Sequence, residues 1–143
     1  LAGRRINDGM GGHVAGQVVK LMLKKAINVV GSRILVLGFT FKEGCPDVRN
    51  TKVIDIVREL AGYHTQVDIY DPWIDPAEAE HEYGVRPMAQ APAANTYDAI
   101  VLAVAHPEFL QMGAAGIHAL GKAEHVLYDV KSLLGKAESD GRL

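Results

Sequence analysis

The chain is poor in the features that commit a sequence to several whole classes of protein. It carries one cysteine, Cys45, in 143 residues. That excludes an internal disulfide framework and a thiolate-rich zinc site, and it suits a reducing cytosol. Neither sign of charge dominates: the formal net charge is −2, too small for a footprint of nucleic acid or acidic membrane. No apolar run approaches the roughly twenty residues needed to cross a bilayer. The first residues are polar and glycine-rich, unlike a signal peptide, and a start at Leu1 rather than methionine reads as a piece of something longer. No Gly-x-Gly-x-x-Gly follows a strand and no Walker lysine motif occurs. Gly9, Gly11, Gly12 and Gly16 miss that spacing. His13, His64, His81, His118 and His125 show no metal-ligand spacing and read as structural or exposed, so no metal is expected.

What remains is an ordinary globular composition, 48% hydrophobic and 22% charged, with length for one domain and a real core. Up to about Gly31 the spacing of Val14, Val18, Leu21, Met22, Val29 and Val30 predicts a long helix. Asn7 and Asp8 offer N-caps, Lys24 and Lys25 suit the later turns, and Gly31 is placed to terminate it. Short β-branched runs at 33–38, 65–70, 99–104 and 125–129 predict buried strands. Between them, helices are predicted over 51–61 (Val53, Ile54, Val57 and Leu60 inward, Gly62 terminating), 76–83 and 107–120, the last broken by glycines. A short extended piece is expected near Val85 to Met88, and the polar tail from Leu134 is expected to fray. The alternation implies an α/β fold: a Rossmann-like three-layer sandwich with a mostly parallel sheet, preceded by a long linking helix. Residues 1–31 read as the linking helix and 32–143 as the nucleotide-binding domain.

In such sheets ligands sit beyond the carboxyl ends of the strands, which directs attention to the residues after Gly38, Tyr70, Val104 and Asp129. After the first strand come Phe41, Lys42 and Arg49, in a loop that ends at a helix N-terminus. Backbone N–H groups, a positive dipole end and two cations can hold phosphate, and Phe41 can lie against a base. A solvated loop with surface charges is the alternative. Asp71 either accepts from a ribose or serves an Asp-Pro turn, and the turn is favoured. His106 either lines the cleft or caps a helix start, and the cap is favoured. Trp73 reads as edge packing. Cys45 has a lysine and a helix start nearby, yet an inert or ligand-adjacent thiol is the preferred reading.

The segment Gly38-x-x-Phe41-Lys42-Glu43-x-x-Pro46-Asp47-x-Arg49-Asn50-Thr51, followed by Tyr70-Asp71-Pro72, resembles the C-terminal domain of the UDP-glucose/GDP-mannose dehydrogenase family. Arg5-Ile6-Asn7-Asp8-x-Met10 is similar to the start of that family's linking helix, and Asp129-Val130-Lys131 to the segment after its last core strand. The wording of the phenylalanine–lysine loop most resembles the branch that oxidises UDP-N-acetylhexosamines for bacterial surface polysaccharides. The resemblance implies oxidation of a sugar-nucleotide C6 alcohol to a carboxylate with two NAD⁺, through a cysteine thiolate assisted by lysine, asparagine and aspartate. Those groups belong to an N-terminal NAD domain and central segment outside this sequence, so no catalytic residue is assigned here and the chain alone is expected to be inactive. By resemblance Phe41, Lys42 and Lys131 contact the UDP-sugar, and Arg49 reaches the phosphates of NAD. Lys131 stands where some relatives carry arginine. A cytoplasmic homodimer through the first helix is implied, with no nucleic-acid or membrane partner.

Two readings of other classes stay beside it. A signalling receiver domain would use Asp71 and Lys131 as its strand-end pair, but it needs an acidic pair where this sequence has Gly38-Phe39-Thr40-Phe41. A non-catalytic dimerisation domain would use the helix of residues 8–30 as its interface.

Overall fold

A computed structural model describes residues 9–143 in full and the backbone of 2–8. The capping expectation for Asn7 and Asp8, and the similarity at Arg5–Asp8, fall outside the fully described residues. Helix α1 (Ala2–Lys24) is followed by β1 (Arg33–Leu37), α2 (Val53–Gly62), β2 (Gln66–Tyr70), α3 (Pro76–Tyr83), β3 (Tyr97–Leu102), α4 (Pro107–His118), β4 (Gly121–Asp129) and β5 (Gly141–Arg142). The sheet has strand order β2-β1-β3-β4-β5, and every pairing is parallel. The predicted α/β sandwich is therefore the observed architecture.

Strand alternation assigns the two faces. Ile34, Val36, Ile69, Ala99, Val101, Val126 and Tyr128 look towards α1 and α2, while Leu35, Leu37, Ile100, Leu102 and Leu127 meet Phe109 and Ile117 of α4. Both faces are covered, which is why the strands read as continuous apolar runs. In α1 the buried stripe is Val14, Ala15, Val18, Val19 and Met22, a helical repeat of three and four. Each such side chain taken fully from water contributes about 1.5–3 kcal/mol before entropy is charged. Gly11 is part of this packing: a β-carbon there would stand 2.7 Å from Asp55 Cβ of α2. So α1 is a layer of this core, and its apolar face already has a partner within the chain.

Several boundaries differ from the predicted ones. α1 stops at Lys24, well before Gly31, because Ala26 takes the left-handed conformation (φ 60°) and Ile27 donates back to the Met22 carbonyl at 2.9 Å. Ile27 is buried, and an apolar residue after the left-handed one is what that type of helix end requires. Gly62 lies within α2, and the reversal falls on His64 (φ 63°). β4 begins at Gly121, earlier than predicted, because a register shift lets Tyr97 pair with Gly121. Residues 85–88 are not a strand, although Met88 donates to the Ile69 carbonyl. α4 breaks at Gly113 (φ 68°, ψ 174°) as its glycines suggested.

The tail is the largest correction. Rather than fraying, it turns through Lys136–Glu138 and adds β5 beside β4. Asp140 accepts the Leu127 N–H at 2.7 Å and returns its own N–H to the Leu127 carbonyl at 2.8 Å. The Lys25 ammonium sits 2.8 Å from the same carboxylate.

Candidate functional site

Strand order decides where a cleft can form. From β1 the chain crosses to β2 over the α2 face, and from β3 it crosses to β4 over the α4 face. The loops leaving the adjacent carboxyl ends of β1 and β3 therefore diverge, and a crevice opens between them. An open cleft of about 300 Å³ occupies that place. Its walls come from the loop after β1 (Thr40, Phe41, Lys42), the ends of β3 (Ala103, Val104) and β4 (Val130, Lys131), the start of α2, and α1.

Three of the four predicted site residues meet there. Phe41, Lys42 and Lys131 line one cleft although the last is far along the chain. Phe41 is 55% exposed, an aromatic face left in water beside two ammonium groups. Two further lining residues carry weight and had not been singled out for the site: Lys52, in the position before α2, and Met10 of α1. The signal for Lys52 was its place at a helix start beside a cation-bearing loop. Met10 stood out only as part of the linking-helix similarity, and nothing local placed it at the cleft, since only the docking of α1 brings it there. Lys42, Lys52 and Lys131 form no ion pair among the described residues. The floor beneath them, Val53, Ile56, Ala103, Val104 and Val130, is apolar.

Arg49 does not join them. Its Nε and Nη2 donate to the two carboxylate oxygens of Asp47 at 3.0 and 3.2 Å, and its backbone N–H donates to Asp47 Oδ1 at 2.9 Å. The side-chain bond with Asp47 is also what raises the guanidinium above its ordinary value, while the Arg49 bonds hold Asp47 below the usual carboxylate range. Arg49 is largely exposed and does not line the cleft. Cys45 is partly buried and lies outside the lining.

The strand-end acids are structural. Asp71 Oδ2 accepts the N–H groups of Phe39 and Thr40 at 2.7 and 3.1 Å, and Oδ1 accepts the Trp73 N–H at 2.8 Å. Its side chain has no exposure, so it serves the turn and cannot meet a ribose or a phosphodonor. That removes the phospho-acceptor a receiver domain needs, although such domains share this strand order. Asp129 is equally buried and accepts the N–H groups of Leu133 and Leu134 at 3.0 and 2.8 Å, shaping the turn that presents Lys131.

His106 departs from its favoured reading. It occupies the position before α4 but makes no side-chain cap. The ring is fully buried, with Nε2 2.9 Å from Asp71 Oδ2 and 3.1 Å from Thr40 Oγ1, and with Nδ1 accepting the Gly44 N–H at 3.1 Å. Trp73 packs at the edge as expected, stacked on this ring with its indole N–H donating to Glu108 at 2.9 Å. His118 and His125 contact each other, 2.7 Å between ring nitrogens. Among the described residues no cluster of histidine, cysteine and acidic side chains could hold a metal ion, and no helix is long and apolar enough to cross a membrane.

Comparison with known proteins follows the same outline. The profile described as "UDP-glucose/GDP-mannose dehydrogenase family, UDP binding domain" matches residues 35–136. A UDP-N-acetyl-D-glucosamine 6-dehydrogenase of Pseudomonas aeruginosa is 61% identical over 143 residues, all of this chain and 34% of that protein. One of Salmonella typhi is 54% identical over the same span, 33% of its length. The solved structure of a UDP-D-ManNAc dehydrogenase from Pyrococcus horikoshii superposes with TM-score 0.78 at 25% identity, over 97% of this chain and 31% of its own. The chain thus spans about a third of the relatives it matches.

Proposed function

Since the chain belongs to the UDP-glucose/GDP-mannose dehydrogenase family, we propose that it supplies the nucleotide-sugar-binding part of an NAD-dependent nucleotide-sugar 6-dehydrogenase. The observation that carries this reading is the convergence of Phe41, Lys42, Lys52 and Lys131 on the crevice between β1 and β3. Three ammonium groups suit a pyrophosphate, and the apolar floor with the exposed Phe41 ring suits a planar base. The cleft volume is at the lower end for a ligand site, so it fits the nucleotide portion of a larger ligand. The reacting sugar carbon would then extend towards parts of the enzyme beyond this chain.

The preferred substrate is a UDP-N-acetylhexosamine, as the names of the relatives suggest, and surface polysaccharide is the destination that the sequence resemblance implies. NAD would supply the hydride acceptor and be held mainly outside this chain. Arg49 is the group here that fits a dinucleotide phosphate: it is exposed, and its Nη1 makes no hydrogen bond among the described residues. Helix α1, which ends at Lys24, would continue an interdomain helix. Its outward side, where Leu23 is 62% exposed, is the surface left for a homodimer contact in a cytoplasmic enzyme. Residues 32–143 would form the binding domain.

Calorimetric titration with UDP-N-acetylglucosamine, repeated on Lys42→Ala, tests the assignment. Binding heat from the wild type that is lost or clearly reduced in the variant is the expected result. Equal heats for both proteins would remove Lys42 from the site.

A further inference from the structure

The buried ring of His106 does not line the cleft, yet two of its partners, Thr40 and Gly44, belong to the loop that forms the wall. Thr40 Oγ1 donates to the Lys42 carbonyl at 2.8 Å, so towards the ring that hydroxyl can only accept. The Gly44 N–H can only donate, so Nδ1 is an acceptor. The two conditions leave one neutral tautomer, with the proton on Nε2 shared between Thr40 Oγ1 and the Asp71 carboxylate. Asp71 is itself held by the N–H groups of Phe39, Thr40 and Trp73, and its orientation fixes the ring.

Asp71 and the Thr40 hydroxyl also hold the start of the turn, but the ring is what joins that start to Gly44. Phe41 donates to the Asp47 carbonyl at 3.0 Å, while the side chains of Phe41 and Lys42 are exposed. Without the ring, Thr40 would keep its N–H bond to Asp71 and its hydroxyl bond to the Lys42 carbonyl, but Gly44 would lose its acceptor and both Thr40 and Asp71 the Nε2 proton that ties them together. A ligand would then have to order the loop at the moment of binding, which lowers affinity.

We propose that His106, oriented by Asp71, is a positioning residue for the nucleotide-sugar site: it clamps Thr40 and Gly44 and thereby sets the direction of Phe41 and Lys42. The assignment rests on the reading of that cleft as the ligand site. Its chemistry is divisible, because two replacements each keep half of the ring. In His106→Asn the amide oxygen stands near Nδ1 and can still accept from Gly44. In His106→Gln the amide nitrogen stands near Nε2 and can still donate to Asp71 and Thr40.

The experiment uses the full chain, with UDP as calorimetric probe and amide hydrogen exchange of residues 39–47 read without ligand. Expected results are asymmetric. His106→Gln speeds exchange at Gly44 alone and keeps UDP affinity within about threefold of wild type, whereas His106→Asn protects Gly44 and weakens UDP on the order of tenfold. Sheet amides of β1 and β3 remain protected in both variants. Wild-type exchange at Gly44 in His106→Gln, or wild-type UDP affinity in a folded His106→Asn, overturns the positioning role. A general rise in exchange across the sheet also overturns it, since that is the signature of a merely structural side chain. Lys42→Ala separates the two ideas: unchanged UDP binding there removes the cleft assignment, and the ligand-free exchange pattern still decides the clamp.

Discussion

Gly38 and Val104 approach so closely that a β-carbon on Gly38 would stand 2.5 Å from Val104 Cβ. The contact joins the ends of β1 and β3 at the floor of the cleft, where Ala103 and Val104 both donate to the Leu37 carbonyl. Gly38 also sits at φ 95°, where a side chain is strained. Gly38→Ala should therefore cost about 3 kcal/mol or more, from backbone strain and overpacking together. A lower denaturant midpoint with unchanged slope is the measurement expected.

Glycines of α1 should respond in opposite directions. A β-carbon on Gly16 meets nothing within 4 Å, whereas one on Gly11 meets Asp55 Cβ at 2.7 Å and the Asp55 carbonyl carbon at 2.8 Å. Gly16→Ala should stabilise by roughly 0.5–1 kcal/mol through helix propensity. Gly11→Ala should destabilise by about 1–3 kcal/mol, because the backbones of α1 and α2 must separate. Thermal melts of the two variants should bracket the wild type, and melts shifted the same way would contradict this account of the crossing.

Lys52 offers a test that separates binding from stability. A cation at a helix N-terminus opposes the dipole by about 0.3–1 kcal/mol, so Lys52→Ala should melt at or slightly above the wild-type temperature. If its ammonium also meets the pyrophosphate, UDP affinity should fall about fivefold, more at low salt than at high. Loss of both stability and affinity together would point to a damaged helix instead.

The docked tail predicts an acid dependence. Burial alone would raise the Asp140 carboxyl, but the Lys25 ammonium and the Leu127 N–H outweigh it and hold it below the ordinary range. A folded-state value below the unfolded one means the carboxylate contributes stability that is complete above about pH 4. That contribution is lost as pH falls through the lower, folded value. Asp140→Asn should cost roughly 1–2 kcal/mol near neutrality, and its deficit should shrink as the pH falls below about 4. Denaturant midpoints of both proteins across that range provide the check.

The fold was legible because its signals are local. Runs such as Ile34–Leu37 and Ile100–Leu102, and the helical repeat of Val14, Val18 and Met22, declare strand or helix within a few residues. The helix predicted over 76–83 is observed over those residues as α3, with Pro76 in its first turn and a left-handed Gly84 closing it. Helix ends set by tertiary contact were not legible: nothing near Ala26 announces a left-handed residue until Ile27 has a core to enter. The tail misled for the same reason, since Gly141 and Arg142 announce no strand by type and become one only against Tyr128 and Asp129.

The site divides along the same line. By itself the sequence determined that Phe41, Lys42 and Lys131 follow strand ends, because strand position and residue type are both readable from short segments. Only the tertiary structure decided that these three share one cleft and that Lys52 and Met10 join them, whereas Arg49 is engaged by a local partner, Asp47, two residues earlier. The tertiary structure alone decided that His106 and Asp129 serve the loops from within the fold, as the sequence already favoured for Asp71. Whether a polar side chain meets solvent, ligand or a buried amide depends on which distant segment closes over it, and that partner is selected by the packing of the whole sheet.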